Sequence, residues 1–269
     1  MENLSRFEPH SHTMYSNIRL LDCINKPKDL VNRAIDIGLK GIAITDHEAL
    51  CCHIEVNQYA QEIIKTNPDF KIALGDEIYL VDKREKGIKY YHFILIAKDA
   101  IGHKQLRRIS SIAWLNSYTD KMERVPTLKE DLENIIKEEP GHLIATTACL
   151  GGELSSNILV MEEARKLGDN QTANEAKNKI IDFVLWCKKV FNQDFYFEVA
   201  PAANKEQITV NKKMVELSAT FNVPIVIGTD AHYLKKSDRF VHKAYLNSKD
   251  EERARQGARH RQRCISAPL

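Results

Sequence analysis

Imidazole, carboxylate and thiol groups stand directly after several short apolar segments of the sequence. In folds built on parallel strands, the active groups gather where the strands end. The side chains in question are Asp46 and His47 after residues 41–45, Glu77 after 71–74, Cys149 after 142–146, and Asp230 and His232 after 224–228. All of these are side chains that bind metal ions, so their convergence would build a metal site.

A further pair of histidines, His10 and His12, lies near the N-terminus. In an extended segment, side chains two residues apart point to the same side, so both imidazoles could bind one ion. Such a pair also arises by chance, and either histidine could simply be buried and hydrogen-bonded. If the combined pattern were accidental, however, five of the ten histidines would have to gather at strand ends by chance. The combination therefore favours metal binding.

The segments that must position these residues predict alternating strands and helices. Pro27 and Gly38 bound one helical pattern, and Thr127 with Glu130 forms a capping-box pattern before another. Further helical stripes cover residues 180–191 and 214–221. Short apolar runs predict strands at residues 41–45, 71–74, 92–97, 142–146, 194–199 and 224–228. This alternation predicts parallel strands with right-handed crossovers, in a barrel more than an open sheet.

Missing sequence motifs and the spacing of residues argue against several other classes of function. The sequence has no GxGxxG or GxxxxGK[ST] motif, which argues against dinucleotide and P-loop nucleotide binding. It has neither an apolar run of about 18 residues nor a signal peptide, so we expect a cytoplasmic protein with no membrane partner. The six cysteines show no disulfide spacing and are interpreted as reduced thiols. The adjacent pair Cys51-Cys52 could instead form a metal or redox site.

Charge separates residues 1–250, the expected metal-dependent domain, from an Arg-rich tail at 251–269. Residues 249–269 carry six Lys and Arg against three Asp and Glu, or +3, which leaves −1 for the rest of a chain whose total is +2. The body is therefore not expected to attract nucleic acid by charge alone. We expect the tail to be disordered, although it could act as a basic contact arm; truncation or a frame change would explain its composition.

Six segments resemble, in order, the motifs of the PHP (polymerase and histidinol phosphatase) family. They are residues 10–16, 42–47, 75–79, 91–97, 147–153 and 228–233. The segment around Cys149, where histidinol phosphatases would carry a histidine, is most similar to the N-terminal domain of the bacterial DNA polymerase III alpha subunit. The resemblance implies an α/β fold, a distorted seven-stranded TIM-like (β/α) barrel.

The resemblance also implies a trinuclear site with nine protein ligands. Mixed nitrogen, oxygen and sulfur ligation suits two to three divalent ions of Zn, Mn or Fe. Asp46 is interpreted as a residue that supports a ligand; it could also accept a proton from the leaving group, or simply cap a strand end. His92 differs from the other candidates because it begins its apolar run. The implied ligands are His10, His12, Asp22, His47, Glu77, His92, Cys149, Asp230 and His232.

Such a site predicts metal-dependent phosphoester hydrolysis. A hydroxide held between two metal ions is a nucleophile near neutral pH, so Cys149 is expected to be a ligand and not the attacking group. The family setting suggests a 3′ to 5′ exonuclease acting on a DNA 3′ end during replication, with other replicase subunits as partners. The alternatives are a free-standing histidinol-phosphatase-like enzyme and a catalytically silent metal domain of a replicase. A polymerase palm is not expected within 269 residues.

Overall fold

The computed structural model describes residues 6–18, 22–85, 87–119, 125–201, 204–255 and 269. Its strands are β1 (Phe7–Glu8), β2 (Gly41–Ile44), β3 (Lys71–Val81), β4 (Tyr91–Ala97), β5 (Pro126–Leu128), β6 (Leu143–Thr146), β7 (Phe195–Val199) and β8 (Ile225–Ile227). Its α-helices are α1 (Pro27–Asp36), α2 (His53–Thr66), α3 (Ala100–Thr119), α4 (Lys129–Glu138), α5 (Glu153–Leu167), α6 (Asn170–Phe191), α7 (Lys205–Phe221) and α8 (Arg239–Arg255).

The strands follow the hydrogen-bonded order β1-β2-β3-β4-β6-β7-β8, and β5 pairs with β3 outside this path. This order confirms the predicted α/β class and the distorted seven-stranded TIM-like barrel. All six predicted strands are present. The sequence did not predict β1 and β5, which have only two and three residues and so carry almost no periodic signal. The chain divides into two compact units, residues 1–76 with 229–269 and residues 77–228.

The first unit contains β1, β2, the start of β3, and helices α1, α2 and α8. Parallel pairing joins β1 to β2 and β2 to β3. The core forms where Leu30 and Val31 of α1 pack with Ile42 and Ile44 of β2. Burying each such side chain contributes roughly 1.5–3 kcal/mol. Helix α1 begins at Pro27, as its sequence predicts.

The second unit contains the rest of β3, strands β4 to β8, and helices α3 to α7. Strands β6, β7 and β8 are parallel, but β4 runs antiparallel to β6, so the expectation of uniformly parallel strands is wrong at β4. A parallel crossover requires about a dozen residues, usually with a helix. The described part of the link at residues 82–90 contains no helix, unlike such a crossover.

Two further expectations differ from the structure. Strand β3 continues to Val81, so Glu77 lies within it and does not follow its end. Thr127 lies in β5, where it pairs with Leu80, and Leu128 is the N-cap of α4, so the capping box does not form. Pairing with β3 takes Thr127 into the sheet and starts the helix later than its local sequence predicts.

The C-terminal part of the chain is only partly described. Helix α8 extends to Arg255, so residues 251–255 are helical, while residues 256–268 lie outside the described residues. The disorder expected for them stays a prediction. Within the described ranges, no helix is both long and apolar enough to cross a membrane. The described cysteines are free thiols: Cys23, Cys51, Cys52, Cys149 and Cys187.

One glycine allows α3 to pack closely in the second unit. A Cβ at Gly102 would overlap the backbone carbonyl oxygen of His142. Alanine is favoured over glycine in a helix by about 1 kcal/mol, whereas overpacking costs about 1–3 kcal/mol. We therefore expect Gly102→Ala to destabilise the protein in urea unfolding. Ser111→Ala, on an exposed position of the same helix, is the control and should change stability by less than about 0.5 kcal/mol. A Gly102→Ala variant at least as stable as the parent would contradict this packing.

Candidate metal centre

Backbone pairing places His10 and His12 beside the ends of two other segments of the first unit. Ser11, between them, pairs with Ala231, and its carbonyl accepts the backbone N–H of Thr45. The segment is therefore extended, and both imidazoles face the same side, as the sequence predicts. Their Nε2 atoms lie 3.1 Å apart.

Asp230 completes a group of three donor atoms with these histidines. Its Oδ1 lies 3.3 Å from His10 Nε2 and 3.2 Å from His12 Nε2. Ligand atoms about 2.1 Å from a tetrahedral zinc ion lie about 3.4 Å from one another, so this spacing fits a shared cation. Burial by itself raises the pKa of Asp230, but the neighbouring imidazoles of His10, His232 and His12 bring it below its usual range. The carboxylate is thus ionised, as a ligand must be.

A second group of donors lies beside the first. Asp22 Oδ2 is 3.4 Å from His47 Nε2 and 3.8 Å from His232 Nε2. The ring of His12 stacks on those of His47 and His232, each at a centroid distance of 4.3 Å. One nitrogen from each of these three rings lies within 4.8 Å of the others. The first unit therefore brings together six of the nine implied ligands, including Asp22, which lies outside the six motif segments.

Asp46 does not face these donors; it holds the segment that carries His12. Its Oδ1 accepts hydrogen bonds from the backbone N–H of Thr13 at 2.6 Å and from Ser16 Oγ at 2.7 Å. Its Oδ2 accepts from Thr13 Oγ1 at 2.7 Å and from Cys52 Sγ at 3.1 Å. Burial, followed by the charge of Asp46, raises the pKa of the Cys52 thiol, which keeps that donor protonated.

This network determines which nitrogen of His12 carries the proton. Ser16 donates its hydroxyl hydrogen to Asp46, so its oxygen accepts from His12 Nδ1 at 3.0 Å. The proton is then on Nδ1, and the lone pair of Nε2 faces Asp230 and His10. In the same way, His232 Nδ1 lies 2.9 Å from the backbone carbonyl of Asp230, which can only accept, and its Nε2 is left as the ligand atom.

Glu8 is a site-supporting residue that the sequence analysis missed. It is fully buried, and its carboxylate accepts hydrogen bonds from the backbone N–H groups of His10 at 3.1 Å and Thr229 at 2.9 Å, and from Thr229 Oγ1 at 2.8 Å. Burial raises the pKa of Glu8, and the charge of its ion-pair partner Arg6 opposes this effect. Glu8 thus ties the segment of His10 to that of Asp230. The sequence feature that could have indicated this role is a carboxylate two residues before the HxH pair.

The second unit brings the other three implied ligands together. His92 Nδ1 lies 2.9 Å from Glu77 Oε1 and 3.6 Å from Cys149 Sγ. Sulfur and nitrogen ligands on one tetrahedral zinc ion are separated by about 3.6 Å, so this spacing also fits a cation. His92 reaches this position because β4 is antiparallel: its first residues lie beside the loop after β6, where His92 pairs with Gly152. A Cβ at Gly151 would lie 2.9 Å from the His92 ring, which explains a glycine there.

Each of three ligand-bearing loops contains a non-glycine residue in the left-handed region. They are Glu48 after His47 (φ 53°), Ala148 before Cys149 (φ 56°) and Asp230 itself (φ 51°). Such residues are uncommon outside glycine and are concentrated at functional sites, where the surroundings impose the geometry. The backbone is thus shaped to aim these three ligands.

The network around Asp46 generates a prediction. In Asp46→Asn, an amide N–H₂ replaces one oxygen that now accepts two hydrogen bonds, so at least one donor loses its acceptor. We expect a loss of about 1–3 kcal/mol in unfolding free energy and a fall of about 10-fold to 100-fold in metal affinity. Urea unfolding and metal titration of the apo protein measure the two effects. The control is Asp36→Asn at the exposed end of α1, which should change neither. Unchanged metal affinity in Asp46→Asn would contradict the role of the network.

Comparison with known proteins agrees with the geometry. The PHP domain model matches residues 8–202. A DNA-directed DNA polymerase of Bacillus phage SPbeta is 45% identical over 257 residues, covering 91% of this chain and 20% of that protein. The DNA polymerase III subunit alpha of Borreliella burgdorferi is 34% identical over 238 residues, covering 85% of this chain and 18% of the relative. The chain therefore spans about a fifth of the length of these relatives.

Two solved structures also match this chain over most of its length. One is a protein from Bifidobacterium adolescentis described as a metal-dependent phosphoesterase, with a TM-score of 0.46, 14% identity, and coverage of 85% of this chain and 88% of the other. The second is the histidinol phosphate phosphatase of Lactococcus lactis, solved with zinc, L-histidinol and phosphate, with a TM-score of 0.41, 14% identity, and coverage of 92% and 93%. Because the family model covers most of the chain, this protein belongs to the PHP domain family.

Proposed function

We propose that this chain binds two or three divalent metal ions and uses them to hydrolyse phosphoesters. The observation that carries the proposal is the spacing of His10 Nε2, His12 Nε2 and Asp230 Oδ1, which lie 3.1–3.3 Å from one another. Three buried groups with lone pairs at this separation are costly to assemble without a cation. Nine candidate ligands also exceed what one ion can use.

The bound ions would activate water and neutralise the charge of the phosphoryl oxygens during in-line displacement. The protein's own contribution is to hold the ligand atoms before substrate arrives. The bonds from His12 to Ser16 and from His232 to the Asp230 carbonyl direct each Nε2 lone pair toward the site. Asp46 acts through Thr13 and Ser16. Since four donors already occupy its two oxygens, we propose that Asp46 is a positioning residue and not the proton acceptor for the leaving group.

The thiol of Cys149 bears on the identity of the metal. Sulfur ligands favour zinc, whereas imidazole and carboxylate ligands also accept manganese and iron. Cys149 lies 3.6 Å from His92 Nδ1, the nitrogen that also approaches Glu77. We propose that Cys149 is a ligand thiolate and that the second unit contributes the more zinc-selective donors.

The substrate we propose is the 3′ end of a DNA strand, in a 3′ to 5′ exonuclease reaction. The proposal is supported by relatives that share 34–45% identity with this chain and are DNA polymerases and DNA polymerase III alpha subunits. We propose that the domain acts in DNA replication, with other replicase subunits as partners. The second candidate is hydrolysis of a small phosphoester such as histidinol phosphate, favoured by the family. A third, a structural metal domain, predicts bound metal without turnover.

We expect the purified protein to contain two to three equivalents of metal and to hydrolyse bis-p-nitrophenyl phosphate or single-stranded DNA ends. Activity should require Mn²⁺ or Zn²⁺ and be lost with EDTA. Asp230→Asn and His47→Ala each remove a proposed ligand, so turnover should fall about 100-fold in either variant. Elemental analysis and initial rates provide the measurements.

The controls for these rates are Lys243→Ala, at an exposed position of α8, and His103→Gln, at a partly buried position of α3. A fully metallated parent with no more turnover than Asp230→Asn would overturn hydrolysis and leave the structural role. Faster turnover of histidinol phosphate than of DNA ends would favour the second candidate. One equivalent of metal or less after metal-supplemented purification would count against the cluster itself.

The assignment of Cys149 can be tested by exchange of its donor atom. Serine offers a poorer ligand for zinc than a thiolate does, while manganese prefers oxygen. Cys149→Ser should therefore lower zinc affinity by at least about 10-fold and manganese affinity by much less. Competitive metal titrations of apo protein would show this. The control is Cys187→Ser, a buried cysteine of α6, which is expected to lower thermal stability and leave the Zn/Mn preference unchanged. Equal loss for the two metals in Cys149→Ser would contradict thiolate ligation.

A further inference from the structure

Helix α8 places an additional histidine, His242, against the ligands of the first unit. It is only 6% exposed, although the helix around it is largely solvent-facing: Phe240, two residues earlier, is 81% exposed. The ring of His242 lies 5.6 Å from that of His232 and 5.3 Å from that of Tyr233, measured between centroids. From a stretch of α8 whose other described side chains are mainly exposed, His242 is thus directed at the loop that carries the last two proposed ligands.

His242 also hydrogen-bonds to the backbone of Asp22. An imidazole ring has at least one N–H to donate, whether it is neutral or protonated. The Nε2 of His242 has no hydrogen-bond partner among the described residues. The contact to Asp22 is therefore made through Nδ1, which donates to the backbone carbonyl.

Asp22 needs such support because it stands in a loop outside the regular elements. Its backbone N–H donates to Asn17 Oδ1 at 2.7 Å, and the N–H of Cys23 donates to the same oxygen at 2.8 Å. Asn17 thus holds one side of Asp22, and His242 holds the other. Between these anchors, the Asp22 carboxylate lies 3.4 Å from His47 Nε2 and 3.8 Å from His232 Nε2.

We propose that His242 is a positioning residue that holds Asp22 and His232 in the arrangement that binds metal. The inference rests on the proposed metal site and extends it to α8, which lies beyond residues 8–202 of the family match. Simple core packing does not explain the residue. A leucine would fill similar space, whereas a buried imidazole nitrogen without a partner costs about 1–3 kcal/mol. The contact of His242 with Asp22 explains why a histidine stands at this position despite that cost.

The experiment compares His242→Leu, which retains bulk, with His242→Asn, whose amide can still donate near the position of Nδ1. Apo protein of the full chain is titrated with Co²⁺, and the visible absorption of the bound ion reports the geometry of its ligands. Zn²⁺ affinity is then measured by competition. We expect His242→Leu to lower Zn²⁺ affinity by about 10-fold to 100-fold and to change the Co²⁺ spectrum. His242→Asn should restore both toward the parent, and Lys243→Ala, exposed on the same helix, should match the parent.

Each result has one interpretation. A His242→Leu protein that loses thermal stability but keeps the parent's Co²⁺ spectrum and Zn²⁺ affinity would overturn the inference, because a packing role alone produces that result. Equal loss in the Asn and Leu variants would also overturn it. If His242→Leu does not fold, His242→Asn is compared with Lys243→Ala. Full Zn²⁺ affinity and an unchanged Co²⁺ spectrum in His242→Asn support the inference. Loss of either overturns it. A parent chain that binds no metal would instead overturn the proposed function.

Discussion

The cost of burying carboxylates governs the structure of the first unit. Glu8, Asp46 and Asp230 are all at most 6% exposed. A carboxylate taken out of water must be hydrogen-bonded or paired with positive charge, or its burial costs several kcal/mol. Glu8 and Asp46 meet this requirement with backbone and hydroxyl donors, and Asp230 is surrounded by imidazoles. These requirements bring three distant segments of the chain to one place.

Hydrogen bonds also orient the histidines that we propose as ligands. A neutral imidazole has one donor and one acceptor nitrogen, and only the acceptor can bind a metal. Ser16 and the Asp230 carbonyl take up the Nδ1 protons of His12 and His232. The protein therefore orients the lone pairs before any cation arrives, which lowers the cost of assembling the site.

In the second unit, the direction of one strand brings proposed ligands together. Because β4 is antiparallel to β6, the beginning of β4 lies beside the loop after β6, and His92 meets Cys149. A parallel β4 would have carried His92 to the opposite edge of the sheet. Gly151 leaves room for this approach, since a side chain at that position would press on the imidazole of His92.

Much of the chemistry could be predicted from sequence alone. Residue types, their position after apolar runs and the HxH alternation indicated most of the proposed ligands, because strand periodicity and metal preference are local properties. Asp22 and His92 were implied only by the resemblance to the family. The supporting residues Glu8 and His242 could not be found this way. Nothing in the local sequence of His242 distinguishes it from an ordinary polar residue, and the position of Glu8 two residues before the HxH pair does not reveal which backbone groups it holds. Their roles depend on Thr229 and Asp22, which lie more than 200 positions away. Likewise, only the tertiary structure decided that β4 reverses and that Thr127 joins β5, since strand pairing satisfies backbone groups over long range and overrides a local capping pattern.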